Sequence, residues 1–510
     1  MTMKYLLGID LGTSTLKVDI YNIKGNWIAG DSIETQMIAP NSDFKEQDPK
    51  QWWEKFKFIL NNISYKDNFN LNNIVGIGIC GQSHGPTPFD KNKKNIGPCI
   101  TWLDQRCLKQ VQYIKNVIGN EKVLEITGFP LDVAYTAAKI LWIKKNQPKI
   151  YEKTEKFLLP KDVLVLNLTG VYSTDTTDAS ATNLFDVKKN CWSDEILSKL
   201  DISIDKLAKP FSSHEIVGTV SRIAADETGL KDGTPVIAGG ADWATDFYGA
   251  GAVKPKIGID MSGTVGTLIV TVKKDFNEKG GVSIVPDIKW ISVAQLQTAA
   301  SVFQWARDEF CLQEKYISNR IGIRSFALID REINRVATGS NGIFVQPHFE
   351  GQRNPGNTKL KGLIFGLSLS SSREEILKAI LEGVAYEYRK GIENLRESNG
   401  IECEKIFASG GGSRSDIWNQ IKADILNIPY CKTNIREAGT FGAAMLAGVG
   451  IGIYSNSAEP IEKFLKIKKT YYPINNNKKK YDHFYRFYKH FTDNIIEMDL
   501  FDGYARLKEI

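Results

Sequence analysis

Cysteine is scarce in this chain: there are seven residues among 510, an odd number with no close pair. Disulfide frameworks and zinc sites need paired or clustered thiols, so the sequence argues against both. A run of about 18 uncharged apolar residues, which a membrane-spanning helix needs, is also missing. The apolar start at residues 1–9 is too short for a secretory signal. We therefore expect a cytoplasmic protein with no membrane partner.

A strong charge of one sign is lacking too. Lys and Arg number 65 against 59 Asp and Glu, which leaves a net charge of +6 on a large surface. This charge is too weak to indicate nucleic-acid binding, and the basic runs at 466–469 and 478–480 are interpreted as solvated faces. No nucleic-acid partner is predicted.

The chain is longer than one hydrophobic core supports, since single cores stop growing at about 250 to 300 residues. Two large lobes are therefore expected. Hydrophobic residues make up 42% and charged residues 24%, which is ordinary for soluble globular domains. This composition argues against a disordered or fibrous protein.

Strand and turn signals recur in the two halves of the chain. Apolar runs at 5–9, at 16–23 and from Trp27 predict an antiparallel meander, and a helix at 49–60 and a strand at 74–80 follow, as in α/β domains. The second half opens alike, with strands at 257–261 and 268–272 around a turn at 262–264. The repetition predicts a duplicated domain, with the lobe boundary between Gly240 and Lys256.

A glycine-rich turn at 8–15 follows the first strand. Glycines let the backbone approach a ligand, and turn N–H and hydroxyl groups point at phosphate oxygens. Asp10 is placed to hold a hydrated Mg²⁺, and Lys17 could add positive charge at the same phosphate. A tight hairpin with no ligand is the alternative interpretation.

Similar chemistry recurs at 260–266, where the turn contains Gly263 and Thr264. One such turn is unremarkable. Two of them, one opening each half, suit a nucleotide clamped between two lobes, because triphosphate charge must be met from both sides.

Three adjacent glycines, Gly410, Gly411 and Gly412, lie between a strand at 406–408 and a helical pattern at 417–426. They allow a flat or charged ligand to approach a helix N-terminus, and a flexible turn with an Asp or Ser cap is the alternative. Further on, 439–444 predicts a small-residue helix packed tightly against the other lobe. A long helix at 373–397 and an aromatic, basic segment from Tyr471 complete the second lobe.

Polar side chains follow a buried strand in the first half. Gln82, Ser83 and His84 come directly after it, and Trp102 and Asp104 lie further on. Such groups suit a hydroxyl-rich ligand, which is held by directional hydrogen bonds and a stacking ring. A purely structural role for His84 is the alternative.

Asp242 follows an apolar run at 235–238 and two glycines. A carboxylate at such a strand end can accept a hydroxyl proton while the glycines leave room for the substrate. A helix N-cap is the alternative interpretation.

Together these segments resemble the FGGY carbohydrate kinases of the actin-like ATPase superfamily, from Tyr5 to about Gly448. The family's second signature is matched by 362–367 and 375–382, and its first by Thr136, Lys139, Ile140, Trp142, Ile143, Lys145 and Asn146, with Ala134 departing from it. The resemblance implies an α/β fold of two actin-like (ribonuclease H-like) lobes with a nucleotide and sugar cleft between them. It predicts a sugar-binding lobe at 1–245 and a nucleotide-binding lobe at 246–510.

Within that family the segments 82–85, 159–162 and 351–355 are most similar to the xylulokinase group. The resemblance implies that Asp242 is the catalytic base and that Ser83, His84 and Asp104 contact the sugar. It also implies a nucleotide site lined by Gly12, Thr13, Thr264, Trp305, Gly410 and Gly411.

Three positions depart from the xylulokinase pattern. Ser83 replaces a Met, 103–106 replaces an Asn-Asp-Gly-Arg type of segment, and Trp243 stands where an Asn or Gln normally touches the sugar. These changes concern specificity and leave the acidic and glycine positions intact.

The predicted function is ATP- and Mg²⁺-dependent phosphorylation of a small sugar, a ketopentose such as xylulose. The alternatives are a kinase for another polyol, ketose or aldonate, and a non-catalytic actin-fold ATPase. A dinucleotide-binding oxidoreductase is disfavoured, because the glycine fingerprint and its acidic partner are missing. A homodimer is left open as the assembly.

Overall fold

Apolar runs bounded by glycine and polar residues form the central strands of two sheets, one in each of two units of the chain. The computed structural model describes residues 4–66, 69–273, 282–354, 359–498 and 500–507. The first unit comprises Met1–Val253, Lys273–Lys289 and Ile435–Leu465, and the second comprises Lys254–Val272, Trp290–Asn434 and Lys466–Ile510.

The described strands include all those predicted from the sequence. In chain order they are β1 (Tyr5–Leu11), β2 (Thr15–Asn22), β3 (Trp27–Glu34), β4 (Glu46–Gln47), β5 (Ile74–Gly81), β6 (Thr87–Phe89), β7 (Cys99–Ile100), β8 (Lys156–Leu158), β9 (Ser173–Asp175), β10 (Phe185–Asp186), β11 (Cys191–Trp192), β12 (Lys209–Phe211), β13 (Ile216–Thr219), β14 (Pro235–Ile237), β15 (Gly240–Ala241), β16 (Ile257–Ser262), β17 (Gly266–Lys273), β18 (Ile288–Leu296), β19 (Phe344–Gln346), β20 (Gln352–Asn354), β21 (Leu363–Phe365), β22 (Lys405–Ser409), β23 (Tyr430–Thr433) and β24 (Ile467–Tyr471).

The helices cover the sheets and connect their strands. They are α1 (Pro49–Lys66), α2 (Leu108–Val117), α3 (Asn120–Thr127), α4 (Thr136–Asn146), α5 (Pro148–Lys153), α6 (Pro160–Thr169), α7 (Thr176–Ser180), α8 (Asp194–Leu200), α9 (Arg222–Thr228), α10 (Asp242–Ala250), α11 (Ala300–Phe310), α12 (Leu312–Ile321), α13 (Ser325–Ile333), α14 (Arg373–Asn399), α15 (Asp416–Leu426), α16 (Ala438–Gly450), α17 (Ala458–Phe464), α18 (Asn475–Glu497) and α19 (Leu500–Leu507). Among the described residues, none of these helices has the length and apolar character needed to cross a bilayer.

The two main sheets share one strand order. Written from the meander, the first runs β3-β2-β1-β5-β14-β13, with β15 also paired to β5. The second runs β18-β17-β16-β22-β23-β24, with β20 as an additional strand beside β18. In each, a meander is followed by two parallel strands, β5 and β14 or β22 and β23, and then by an antiparallel edge strand, β13 or β24. The shared order confirms the predicted α/β class and supports the predicted duplication.

Close backbone packing holds α16 on the sheet of the first unit. A Cβ added to Gly8 of β1 would lie 1.9 Å from the Thr440 carbonyl oxygen, and one added to Gly78 of β5 would lie 1.9 Å from that of Ala443. On the other side of α16, a Cβ at Gly249 of α10 would lie 2.0 Å from the Ala438 carbonyl oxygen. These contacts need glycine, so the prediction of a tightly packed small-residue helix is confirmed.

Each of the two units is built from separate stretches of the chain. The chain first leaves the first unit after Val253, inside the boundary window 240–256. The sugar-binding lobe at 1–245 and the nucleotide-binding lobe at 246–510 stay predictions, and the segments 273–289 and 435–465 also belong to the first unit. The physical reason is α16, whose small residues pack on β1, β5 and α10 of the first unit. The first three residues of the apolar start lie outside the described residues.

Candidate active site

Three parallel strands of the first unit end side by side. Asp10 of β1 pairs with Cys80 of β5, and Cys80 pairs with Gly240 of β15. The chain then leaves β5 into Gln82 and leaves β15 into Asp242. Because the carboxyl ends of parallel strands meet at one edge of a sheet, Asp10, Gln82 and Asp242 are gathered there, as ligand sites in α/β sheets require.

Asp242 is the first residue of α10, and the N-cap of that helix is Ala241. The alternative interpretation of Asp242 as the cap is therefore wrong, although its Oδ1 accepts a 2.7 Å hydrogen bond from the Trp243 N–H. Burial, and then the negative charge of Asp10, raise the pKa of Asp242 to about 7. A carboxylate poised near neutrality has the proton affinity that a general base needs.

A second carboxylate, Asp246, lies one helical turn after Asp242. Burial and the charges of Asp10 and Asp242 raise the pKa of Asp246 well above its usual range. A Cβ on Gly439 of α16 would lie 2.8 Å from Asp246 Oδ1 and 3.4 Å from Asp10 Cγ, so glycine lets that backbone approach the acids. Sequence reasoning missed Asp246, although the spacing of four residues on a helix was a usable signal.

Lys17 balances part of this negative charge. Its Nζ lies 3.7 Å from Asp10 Oδ2 and 2.8 Å from Glu437 Oε2. Burial by itself lowers the pKa of Lys17, but the two carboxylates more than offset this effect and raise it. The turn before Lys17 closes with a 3.0 Å hydrogen bond from Gly12 N to Thr15 O. Glu437 was not predicted, and no local pattern in the sequence points to it.

Hydrogen bonds connect the predicted nucleotide turn to the predicted sugar residues. Trp102 Nε1 donates to Thr13 Oγ1 at 2.8 Å, and Gln47 Nε2 donates to the Thr13 carbonyl oxygen at 2.7 Å. Gln82 Nε2 in turn donates to Gln47 Oε1 at 2.6 Å. Thr13 is therefore held by side chains from two segments, and Gln47 is a contributor that sequence reasoning missed.

His84 has a left-handed backbone conformation, with φ of 71°, which is uncommon for a residue other than glycine. Its carbonyl oxygen accepts hydrogen bonds from Thr136 Oγ1 at 3.2 Å and Lys139 Nζ at 3.3 Å. Its ring Nδ1 lies 2.7 Å from the Ala181 carbonyl oxygen. Two residues of the first family signature thus hold the turn that carries His84.

An aromatic row connects His84 with the residue beside Asp242. The ring centroids of His84 and Tyr135 are 4.8 Å apart, those of Tyr135 and Phe129 are 5.7 Å apart, and those of Phe129 and Trp243 are 6.2 Å apart. Trp243 and His84 therefore belong to one aromatic wall. Phe129 and Tyr135 complete it and were not predicted.

Asp104 is fully buried and paired with Arg106. The guanidinium donates from Nε and from its second terminal nitrogen to the Asp104 carboxylate at 2.7 to 3.0 Å, and the Lys45 N–H donates to Asp104 Oδ2 at 2.7 Å. The guanidinium also stacks 3.7 Å from the Phe44 ring centroid and pairs with Glu46. Asp104 therefore orients Arg106, and its predicted contact with the sugar stays a prediction.

In the second unit, the turn between β16 and β17 docks on the start of α11. Ala299 N donates to Thr264 O and Ala300 N donates to Gly263 O, both at 3.1 Å. Trp305 lies on the same helix and is partly exposed. The structure thus brings the predicted residues Gly263, Thr264 and Trp305 to one turn and the helix that follows it.

The glycine segment after β22 lies against the same turn, because β16 and β22 are parallel neighbours. A Cβ on Gly410, where φ is +73°, would lie 3.1 Å from Ser262 O, and one on Gly412 would lie 2.7 Å from Ser262 Cβ. No heavy atom lies within 4 Å of a Cβ built on Gly411, so its backbone is open to a ligand.

The buried side chain of Asp260 holds this turn in place through hydrogen bonds. Its carboxylate accepts from Lys422 Nζ at 2.5 Å, Tyr430 OH at 2.6 Å and Tyr388 OH at 3.1 Å, and Lys422 also donates to Ser262 Oγ at 2.6 Å. Burial lowers the pKa of Lys422, and the charge of Asp260 partly offsets this effect. The second turn is therefore fixed by a buried charge pair that its sequence alone did not reveal.

The remaining motif positions are in the segments 159–162 and 351–355. Lys161 and Asp162, from the segment 159–162, are buried in a charge cluster of the first unit. Of the segment 351–355, Pro355 lies outside the described residues.

Comparison with known proteins decides the family. The model of the FGGY family of carbohydrate kinases, N-terminal domain, matches residues 5–249, and that of the C-terminal domain matches residues 261–451. The chain belongs to the FGGY family of carbohydrate kinases. It is therefore an enzyme that transfers a phosphoryl group to a carbohydrate. As a kinase, it takes ATP as the phosphoryl donor.

Relatives of this kinase differ in their substrates. It is 30% identical to the xylulose kinase of Bacillus subtilis over 492 residues, covering 96% of both chains. It is 28% identical to the gluconokinase of the same organism, covering 94% of this chain and 93% of the relative. The crystal structure of xylulose kinase from Rhodospirillum rubrum matches with a TM-score of 0.84 at 23% identity, covering 97% and 99% of the two chains. This structure confirms the predicted two-lobe sugar-kinase fold.

Proposed function

We propose that this carbohydrate kinase phosphorylates a ketopentose such as xylulose, with Asp242 as the general base. The observation that carries the proposal is the position of Asp242 at the shared edge of β1, β5 and β15, where Gln82 also leaves the sheet. The pKa of about 7 suits a group that must accept a hydroxyl proton near neutral pH.

In the proposed reaction, Asp242 accepts the proton of a sugar hydroxyl while the hydroxyl oxygen forms a bond to the γ-phosphorus of ATP. The bond between that phosphorus and the bridging oxygen breaks, and ADP leaves with the electron pair. The products are the sugar phosphate and ADP, with the proton on Asp242. Positioning and electrostatics carry most of the barrier reduction in such transfers.

The acidic edge of the first unit fits a hydrated Mg²⁺. Asp10 raises the pKa of both Asp242 and Asp246, and Lys17 pairs with Asp10 and with Glu437, so this edge has more carboxyl groups than cationic groups. Within the part of the chain that the structure describes, no three ligating side chains form a complete metal cage. Mg²⁺ commonly keeps several waters and takes only one or two carboxylates, and Asp10 is the residue proposed to hold it. When bound, it would neutralise charge on the transferred phosphoryl group.

A neutral ketose suits the first unit better than an aldonate does. An aldonate carries a carboxylate, which would need an available cation. The cationic groups near the sugar residues already have partners: Arg106 pairs with Asp104 and Glu46, Lys139 donates to carbonyl oxygens, and Lys161 pairs with three carboxylates. The aromatic wall around Trp243 likewise favours an uncharged ligand.

A substrate panel tests the proposal. ADP release would be measured in a coupled assay with ketopentoses, aldonates and polyols at equal concentrations. The proposal expects the highest kcat/KM with a ketopentose. A higher kcat/KM for gluconate than for every ketopentose would contradict the substrate while leaving the role of Asp242 to its own test.

A further inference from the structure

The short helix α7 packs against β15, the strand that leads directly into Asp242. Thr177 of this helix is fully buried, and its hydroxyl makes two hydrogen bonds. It donates to Asp175 Oδ2 at 2.5 Å and accepts from the Ala241 N–H at 2.9 Å. The second bond holds the peptide group between Gly240 and Ala241, one peptide before that of Asp242.

The hydroxyl of Thr177 has a fixed orientation, because the Ala241 N–H can only donate to it and its own proton lies on the bond to Asp175 Oδ2. Asp175 Oδ1 lies 3.0 Å from Lys161 Nζ, and both side chains are fully buried. Ser213 Oγ and the Thr177 N–H also donate to Asp175 Oδ2. The carboxylate is therefore held as an acceptor, and the Thr177 proton must point toward it. One lone pair of the Thr177 oxygen is then left directed at Ala241.

The backbone at Gly239 and Gly240, which leads through β15 to Asp242, passes through a crowded space. Gly239 has φ of +76°, and a Cβ there would lie 1.8 Å from the Ile79 carbonyl oxygen. A Cβ on Gly240 would lie 2.6 Å from Thr245 Oγ1 and 3.4 Å from Thr177 Oγ1. Two glycines allow the chain to pass here, and glycines by themselves do not select one direction. The pairing of β15 with β5 and the bond from Ala241 to Thr177 together supply that selection.

We propose that Thr177 is a positioning residue for Asp242. Its hydroxyl, oriented by Asp175 and Lys161, holds the Ala241 N–H and so sets the direction in which the Asp242 carboxylate leaves the sheet. The inference rests on the proposed role of Asp242 as base. It assigns Thr177 no contact with the sugar or the nucleotide.

Removing the hydroxyl while keeping the side-chain shape tests this inference. Thr177→Val leaves the buried Ala241 N–H without its acceptor, and a displacement near 1 Å at a catalytic group can cost on the order of a hundredfold. We expect kcat to fall about ten- to a hundredfold, with the KM for ATP within about twofold of wild type. Thr177→Ser retains the hydroxyl and should restore most of kcat.

Thr228→Val is the matched control. Thr228 is a buried threonine of α9 in the same unit. Like that of Thr177, its hydroxyl donates one hydrogen bond, here to the Ala224 carbonyl oxygen, and accepts one from a backbone N–H, here that of Leu230. Both valine variants should lower the thermal midpoint, and only Thr177→Val should lower kcat. If Thr177→Val fails to fold, Thr177→Ala replaces it. Its kcat would be measured well below its thermal unfolding midpoint and compared with that of Thr177→Ser.

A double-mutant cycle separates this inference from the proposed function. If Thr177 acts through Asp242, adding Thr177→Val to Asp242→Asn should change kcat by less than about twofold. An equal loss in both backgrounds, or a Thr177 variant of normal kcat, would overturn the inference. Near-normal turnover of Asp242→Asn alone would overturn the proposed base, and the inference with it.

Discussion

Lys17 donates a 2.8 Å hydrogen bond to Glu437, which lies 420 positions later in the chain. This bond connects the first glycine turn with the segment that enters α16. It belongs to an acidic edge where Asp10, Asp242 and Asp246 are neighbours in the first unit.

Asp242→Asn should reduce sugar phosphorylation at least about a hundredfold, the lower end of what a positioned general base contributes. The amide keeps the shape of the side chain and cannot take the proton. Single-turnover phosphorylation and ATP affinity, measured on the same preparation, give the result. Asp194→Asn is the control, because Asp194 is likewise the first residue of a helix, α8, and should keep normal turnover. Near-normal turnover of Asp242→Asn would remove this residue from the mechanism.

The pH profile should report the Asp242 carboxyl, whose pKa burial raises from 3.8 to about 7. Since the base must be ionised, kcat/KM should fall about tenfold per pH unit below that value. Stability should follow the opposite trend. The folded state binds this proton more tightly than the unfolded state does. The protonated Asp242 carboxyl therefore adds its full contribution to the free energy of unfolding below the unfolded pKa of 3.8, and this contribution is lost as pH rises through about 7. Asp242→Asn should therefore unfold at or above the wild-type temperature at pH 8. A wild-type profile that is flat between pH 5.5 and 8 would contradict this prediction.

Activity should require a divalent cation, because the acidic edge carries more carboxylates than Lys17 balances. Excess chelator should abolish turnover, and added Mg²⁺ or Mn²⁺ should restore it. In this test the kinase reaction would be quenched first. The coupling enzymes would then be added together with the metal that they need. Full turnover in the chelator would rule out the proposed role of Asp10.

Trp243→Asn should change the ranking of sugars more than it changes the KM for ATP. Trp243 lies in the aromatic wall with Phe129 and Phe247, directly after the proposed base. Replacing the indole by an amide opens this wall and adds hydrogen-bonding groups. Kinetics on the substrate panel give the result, with Trp53→Asn, a change on α1, as the control. An unchanged ranking with a raised KM for ATP would assign Trp243 to the nucleotide instead.

Gly78→Ala should destabilise the first unit by more than about 1 to 3 kcal/mol, the range for ordinary overpacking. The added Cβ would lie 1.9 Å from the Ala443 carbonyl oxygen, and neither backbone can yield easily. Thermal or denaturant unfolding measures the change. Gly503→Ala is the control, since its Cβ meets no atom within 4 Å and alanine favours the helix α19. Equal stability of both variants would show that α16 can move away from β5.

Local patterns of the sequence determined much of this protein. Apolar strands, glycine turns and the helix now seen as α14 are set by neighbouring residues, because backbone conformation and turn chemistry depend on a few positions at a time. The same patterns placed Asp10, Gln82 and Asp242 at strand ends, where ligands of α/β sheets are found. The resemblance to a kinase family followed from such segments.

Only the tertiary structure decided which distant residues meet. It placed 435–465 in the first unit, brought Glu437 to Lys17, and placed the Thr177 hydroxyl against the Ala241 N–H. It also paired Lys422 with Asp260, 162 positions apart. Such contacts carry no local signal, since they arise when glycine packing and buried charge bring together segments that are remote along the chain. The sequence therefore determined the strands, turns and acidic positions, and the packing of those elements decided the charge and orientation of the site.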